Sequence, residues 1–102
     1  MRASGHLEAT STLMYTFNGY TGQEIKSLTL TNTNSSAEAI NLIIKRADGT
    51  TTDYLLGPNK SLAAYSICGG FADKVKLYKD DAIWGDSTTH NKTMWALEIG
   101  EV

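Results

Sequence analysis

A single cysteine, Cys68, stands among the 102 residues. No disulfide can therefore form within the chain, and no cluster of thiolates is available to hold zinc. There is one proline, Pro58, which leaves nearly every backbone amide free to donate to a ladder. Positive charge is not in excess: nine Lys and Arg face eleven Asp and Glu, for a formal net charge of −2. The sequence thus points away from nucleic acid and from anionic membranes as partners. The strictly apolar runs are a few residues long, far short of the ~20 needed for a membrane-spanning helix. The opening residues 1–10 are mixed and polar and lack the apolar stretch of a secretory signal, so the expected place of synthesis is the cytoplasm.

What is present is strand chemistry. Thirteen threonines and eight serines are spread along the chain, and β-branched Thr suits a pleated, half-exposed surface. Apolar residues alternate with polar ones from end to end, whereas helical three-and-four spacing is not sustained anywhere. The length fits one domain. The expected fold is all-β: a single β-sandwich of about eight short antiparallel strands, jelly-roll or immunoglobulin-like, over residues 11–102. Residues 1–10 read as a polar N-terminal arm lying outside it and reaching a neighbouring chain.

Alternation places the strands at Ser11–Phe17, Glu24–Asn32, Ala39–Arg46, Thr50–Leu56, Leu62–Ile67, Asp73–Tyr78, Ala82–Trp84 and Thr93–Ile99. The inward sets are Leu13, Tyr15 and Phe17; Leu28 and Leu30; Ile40, Leu42 and Ile44; Val75 and Leu77; Trp95, Leu97 and Ile99. Asp48-Gly49 is the strongest turn signal and predicts a hairpin. Pro58-Asn59 is expected to end that hairpin, and Cys68-Gly69-Gly70 to break the next strand. Asn34-Ser35-Ser36 and Asn91-Lys92-Thr93 have the form of glycosylation sequons, which matter only in a secretory pathway, and are read as polar loops.

Few residues suggest chemistry. Gly57-Pro58-Asn59-Lys60-Ser61 lacks the glycines and the following helix of a phosphate-binding loop and reads as a turn. Cys68 could act as a nucleophile only with His6 or His90 beside it, and a packed thiol is the expected outcome. Asp80, Asp81 and Asp86 could offer oxygens to a cation, but their spacing matches no calcium loop, and Asp residues suit turns for backbone reasons. A carboxylate pair for glycoside hydrolysis is not identifiable. Nothing converges as acid, base and nucleophile, so the expectation is no enzyme, no cofactor and no metal.

The aromatic and outward apolar residues say more. Phe17 and Trp95 belong to the core by alternation. If Ile83 points inward, Trp84 points out, as an interface anchor, as a platform for stacking a sugar, or covered by the domain's own loops. Ile43 is an apolar residue on an otherwise polar outward face. Trp84, Ile43, Tyr20 and, in the arm, Leu7 form the candidate interface set.

The order of these segments resembles small β-sandwich structural proteins encoded among the virion genes of tailed bacteriophages. The matching stretches are Leu13-Met14-Tyr15-Thr16-Phe17, then Ile25-Lys26-Ser27-Leu28-Thr29-Leu30-Thr31-Asn32-Thr33, then Ile40-Asn41-Leu42-Ile43-Ile44. Val75-Lys76-Leu77-Tyr78-Lys79-Asp80-Asp81-Ala82-Ile83 and Trp95-Ala96-Leu97-Glu98-Ile99-Gly100-Glu101-Val102 complete the series, with Asp80 where those proteins carry Gly. The resemblance covers roughly residues 12–102. It implies a non-catalytic virion component whose partners are other copies of itself and the major capsid or tail protein, as a head decoration protein ahead of a tail or connector part. The alternative is a carbohydrate-binding sandwich in host recognition, built on Trp84, Tyr20 and the acidic turn.

Overall fold

The structure, a computed structural model, describes residues 1–19 and 22–101. Nine strands run in order: β1 (Arg2–His6), β2 (Thr12–Thr16), β3 (Gln23–Asn32), β4 (Glu38–Lys45), β5 (Thr52–Leu62), β6 (Ile67–Cys68), β7 (Lys76–Leu77), β8 (Ala82–Asp86) and β9 (Thr93–Gly100). They form two antiparallel sheets that pack as a sandwich. One has the order β1-β9-β3-β6, with β7 also on β3, and the other the order β2-β8-β4-β5. No described element is a helix long and apolar enough to cross a membrane.

The pairing is nested: β1 with β9, β2 with β8, β3 with β6 and β7, β4 with β5. If β6 and β7 are counted as one interrupted strand, the chain folds as a single long hairpin wrapped into two four-stranded sheets. That is the jelly roll, and it decides between the two topologies the sequence left open.

Two-residue alternation fills the space between the sheets. Ile25, Leu28 and Leu30 from β3, Ile40, Leu42 and Ile44 from β4, and Trp95, Leu97 and Ile99 from β9 are all buried, as are Phe17, Leu77 and Ile83. Gly85 belongs to this core because of its size. A Cβ there would stand 2.5 Å from Leu42 Cδ2 and 2.8 Å from Met14 Sδ, side chains of the two strands that flank β8, so a larger residue would have to displace both.

Several local expectations are corrected. Residues 1–10 are not a free arm: Arg2–His6 pairs in register with β9, Arg2 opposite Glu98 and His6 opposite Met94. Residues 63–66 turn instead of continuing a strand, with Ser66 N–H donating to Ala63 O and Tyr65 at φ 55°. In the Asp73–Tyr78 segment only Lys76–Leu77 is strand, because Lys74 sits at φ 67° in a turn. The break expected at Cys68-Gly69-Gly70 falls after Cys68, which is the last residue of β6, and Gly70 turns the chain at φ 80°.

Pro58 does not end the hairpin; β5 runs through it as the edge of its sheet, where a missing amide is tolerated. The register against β4 shifts on both sides of Leu42 to accommodate this segment. At the far end of β3, buried Asn32 ties the β3–β4 loop to the end of β5 and the turn that follows it. Its Nδ2 donates to the carbonyls of Ser36, Leu62 and Ala63, and its Oδ1 accepts from Asn34 N–H.

Candidate interaction face

On the outer side of the β2-β8-β4-β5 sheet, strand register lines up four large apolar side chains. Leu13 of β2 lies opposite Trp84 of β8, Trp84 opposite Ile43 of β4, and Ile43 opposite Tyr54 of β5. With neighbouring strands ~4.8 Å apart, the row spans roughly 14 Å at right angles to the strands. Leu13 is 47% exposed and Tyr54 57%, while Ile43 and Trp84 are half-buried between them.

The physical cause differs along the row. Ile83 points into the core and is buried, so its neighbour Trp84 must face outward, as the sequence indicates. Leu13 was expected inside. A register shift between Leu13 and Tyr15 breaks the alternation of β2, and Leu13 turns out onto the face. Lys45 lays its Nζ 4.2 Å from the centre of the Trp84 ring, so a cation covers part of the indole.

Beside the row lies a shallow depression of ≈ 340 Å³ with Trp84 and Tyr54 on its walls and amide and carboxylate groups at its base. Asn41 Nδ2 donates to Asp86 Oδ1 at 3.0 Å and to Asn59 Oδ1 at 3.1 Å, and Asn41 Oδ1 accepts from Asn59 N–H at 2.7 Å. Gly57 makes this possible: its φ of 122° and a hypothetical Cβ 3.1 Å from Asn41 Oδ1 leave no room for a side chain. Residues 57–61 are thus a pinned piece of edge strand.

The other candidates fare variously. Tyr20 lies outside the described residues. Leu7 is a correction: it is 1% exposed, part of the core, and so offers no surface for an interface. Its strand pairs with β9, and alternation then turns Ala3, Gly5 and Leu7 toward the interior and Arg2, Ser4 and His6 outward.

Asp81 is buried and consumed structurally, accepting from Ala47 N–H, Tyr78 N–H and Arg46 Nη1, each at 2.9 Å. Asp86 sits at the opposite end of β8, in the Asn41 network, so the acidic residues do not converge. Cys68 pairs with Leu30 across β3, on the core-facing side of its sheet, whereas His6 faces outward three strands away. No Cys-His pair exists among the described residues.

The outer side of the other sheet is mixed: exposed Met94 and Ile67 lie in a row with His6 and Thr31, and the rows beside it are small and charged. Ser4, Ala96 and Thr29 line up across β1, β9 and β3, as do Arg2, Glu98 and Ser27. Its depression, ≈ 360 Å³, is floored by these small and charged groups. Set against known proteins, the chain matches no family model, no curated protein and no solved structure.

Proposed function

We propose that the chain is a non-enzymatic structural component of a bacteriophage particle. It docks through the outer face of the β2-β8-β4-β5 sheet on other copies of itself or on a major capsid or tail protein, as a head decoration protein ahead of a tail or connector part. The observation that carries this reading is the row Leu13, Trp84, Ile43 and Tyr54, which crosses all four strands of one sheet. Aromatic anchors flanked by aliphatic residues are what a protein interface concentrates its binding energy in. The jelly roll adds support by analogy, since viral capsid domains use it, although fold alone assigns no function.

The test is sedimentation velocity on the purified chain, with co-sedimentation against shells or tubes of the major proteins. The wild type associates with itself or with the particle surface. Trp84→Ser or Ile43→Lys lowers that association by about 2 kcal/mol, roughly thirtyfold, as expected for a central anchor. A monodisperse monomer without affinity for shells or tubes overturns the proposal.

A second reading is favoured by one specific feature, the depression in which Trp84 and Tyr54 flank Asn41, Asn59 and Asp86. Aromatic faces beside convergent amides and a carboxylate suit a sugar ring and its hydroxyls. Under this reading the site uses Tyr54 and Asp86 and not the Asp80-Asp81 turn. Tryptophan fluorescence titrated with a broad oligosaccharide panel reports binding here, and silence across the panel removes the reading.

A further inference from the structure

At the end of the sandwich where β1 leaves its sheet, the fold brings His90 against His6 and Glu8, which lie near the other end of the sequence. His6 Nε2 is 3.1 Å from Glu8 Oε1, and His90 Nδ1 contacts the other carboxylate oxygen, Oε2. The two imidazole rings meet edge to face, with centroids 5.6 Å apart. Among the described residues, this is the group of metal-ligating side chains whose donor atoms converge, all lying within 4.8 Å of one another.

The backbone beneath them is fixed. Leu7 N–H donates to Thr93 O, Asn91 N–H to Leu7 O and Ser87 N–H to Glu8 O, at 2.8, 3.0 and 2.9 Å. These bonds stitch residues 7–8 to the β8–β9 loop on both sides of His90. Leu7 itself is locked in the core, so its neighbours His6 and Glu8 spring from a rigid point. Donors carried on fixed backbone need only rotate their side chains to close on a shared atom.

We propose that His6, Glu8 and His90 form a binding site for a divalent cation of the zinc class. Two imidazole nitrogens and one carboxylate are a donor set such ions favour, whereas calcium and magnesium prefer oxygen throughout. With metal–donor distances of about 2.0–2.2 Å, donors around a tetrahedral ion stand roughly 3.4 Å apart, a spacing within reach of side-chain rotations of the exposed His6 and His90 and the half-buried Glu8. Three protein donors leave the fourth position to water. The ion pins the start of the chain to the β8–β9 loop and closes that end of the sandwich without a disulfide.

Equilibrium dialysis and calorimetric titration with Zn²⁺ test this, and Co²⁺ serves as the spectroscopic probe. One ion binds per chain, and His6→Ala and His90→Ala each weaken binding at least tenfold while circular dichroism shows the fold unchanged. Cys68→Ser leaves the affinity unaltered, and the Co²⁺ complex shows visible d–d bands without a thiolate charge-transfer band. No stoichiometric binding, wild-type affinity in either histidine variant, or loss of binding in Cys68→Ser overturns the proposal.

Discussion

The two sheets present the same logic to the core and differ in how apolar residues are arranged on their outer faces. Inward, β3 and β9 supply Leu28, Leu30 and Leu97 as β4 and β8 supply Ile40, Leu42 and Ile83, all buried. Outward, the β1-β9-β3-β6 sheet shows Ser4, Ala96 and Thr29 in one row and, in the next, exposed Met94 and Ile67 kept apart by Thr31, whereas the β2-β8-β4-β5 sheet shows Leu13, Trp84, Ile43 and Tyr54 side by side without a polar residue between them. Burying the inner faces is required to fold, so it cannot separate the sheets. The outer residues are free of that demand, and the difference between them is where a functional signal can be read.

The largest expected effect tests the shared half of this comparison. Leu28 and Leu42 are both 0% exposed, one from each sheet. Truncating either to Ala removes buried methyl groups and leaves a cavity, at a cost of about 2–5 kcal/mol. Urea unfolding followed by tryptophan fluorescence measures both. A much smaller loss at one of them means that its sheet packs loosely on the core, and the outer faces would then no longer be the only difference.

A smaller effect probes the distinct half. Lys45 covers the Trp84 ring from one side, an interaction worth ~0.5–1 kcal/mol at an exposed site. Lys45→Ala therefore costs the isolated chain about that much stability and exposes more indole. If the row is a docking face, the variant associates more strongly or equally well even as it unfolds earlier; weaker association means that the lysine itself contacts the partner. Thermal unfolding and sedimentation on the same sample separate these outcomes.

How much of this was legible in the sequence follows from what alternation can and cannot carry. The all-β class, the sandwich and the inward residues Leu28 and Leu30 of β3, Ile40, Leu42 and Ile44 of β4, and Trp95, Leu97 and Ile99 of β9 are read directly, because each of these sets alternates, although on β3 the alternation breaks just before Leu28 at a register shift between Ile25 and Ser27. Leu13 was misplaced because a bulge in β2 changes which way a side chain points and leaves no mark in composition. Leu7 and the arm were misjudged because a polar segment such as Arg-Ala-Ser-Gly-His carries too few apolar residues to announce an edge strand, although Ala3, Gly5 and Leu7 already alternate.

Tyr54 could have been found. An Asp48-Gly49 two-residue turn sets Ala47 against Thr50, and counting outward from it brings Ile43 opposite Tyr54, as the structure shows. The His6, Glu8 and His90 cluster was beyond reach, since it depends on β1 joining its sheet and on the β8–β9 loop folding back over Leu7. Single-sequence patterns contain neither contact.

The finest contrast between the sheets lies in two carboxylates held below their ordinary range for different reasons. In the β4–β5 hairpin, the Asp48 carboxyl is lowered from 3.8 to about 2, first by the Thr51 hydroxyl and then by the Thr51 and Thr50 amides that donate to it. On β3, the Glu24 carboxyl is lowered first by its hydrogen bond from Lys26, which outweighs the opposing desolvation, and the charges of Lys26, Lys76 and Lys74 each add a smaller lowering. Both are depressed in the folded state, so each stabilises the fold above its unfolded value and loses that contribution as pH falls through its folded one. For Asp48 the window runs from about 3.8 down to about 2; for Glu24 it opens below 4.5. Salt tells them apart, because neutral donors are not screened and surface ammonium groups are. Carboxyl carbon shifts followed by NMR between pH 5 and pH 2, at low and high salt (~0.01 and ~1 M, where the Debye length falls from ~30 to ~3 Å), therefore leave the Asp48 midpoint in place. The Glu24 midpoint moves up toward its ordinary value, and equal movement of the two would place charge, not turn geometry, behind both.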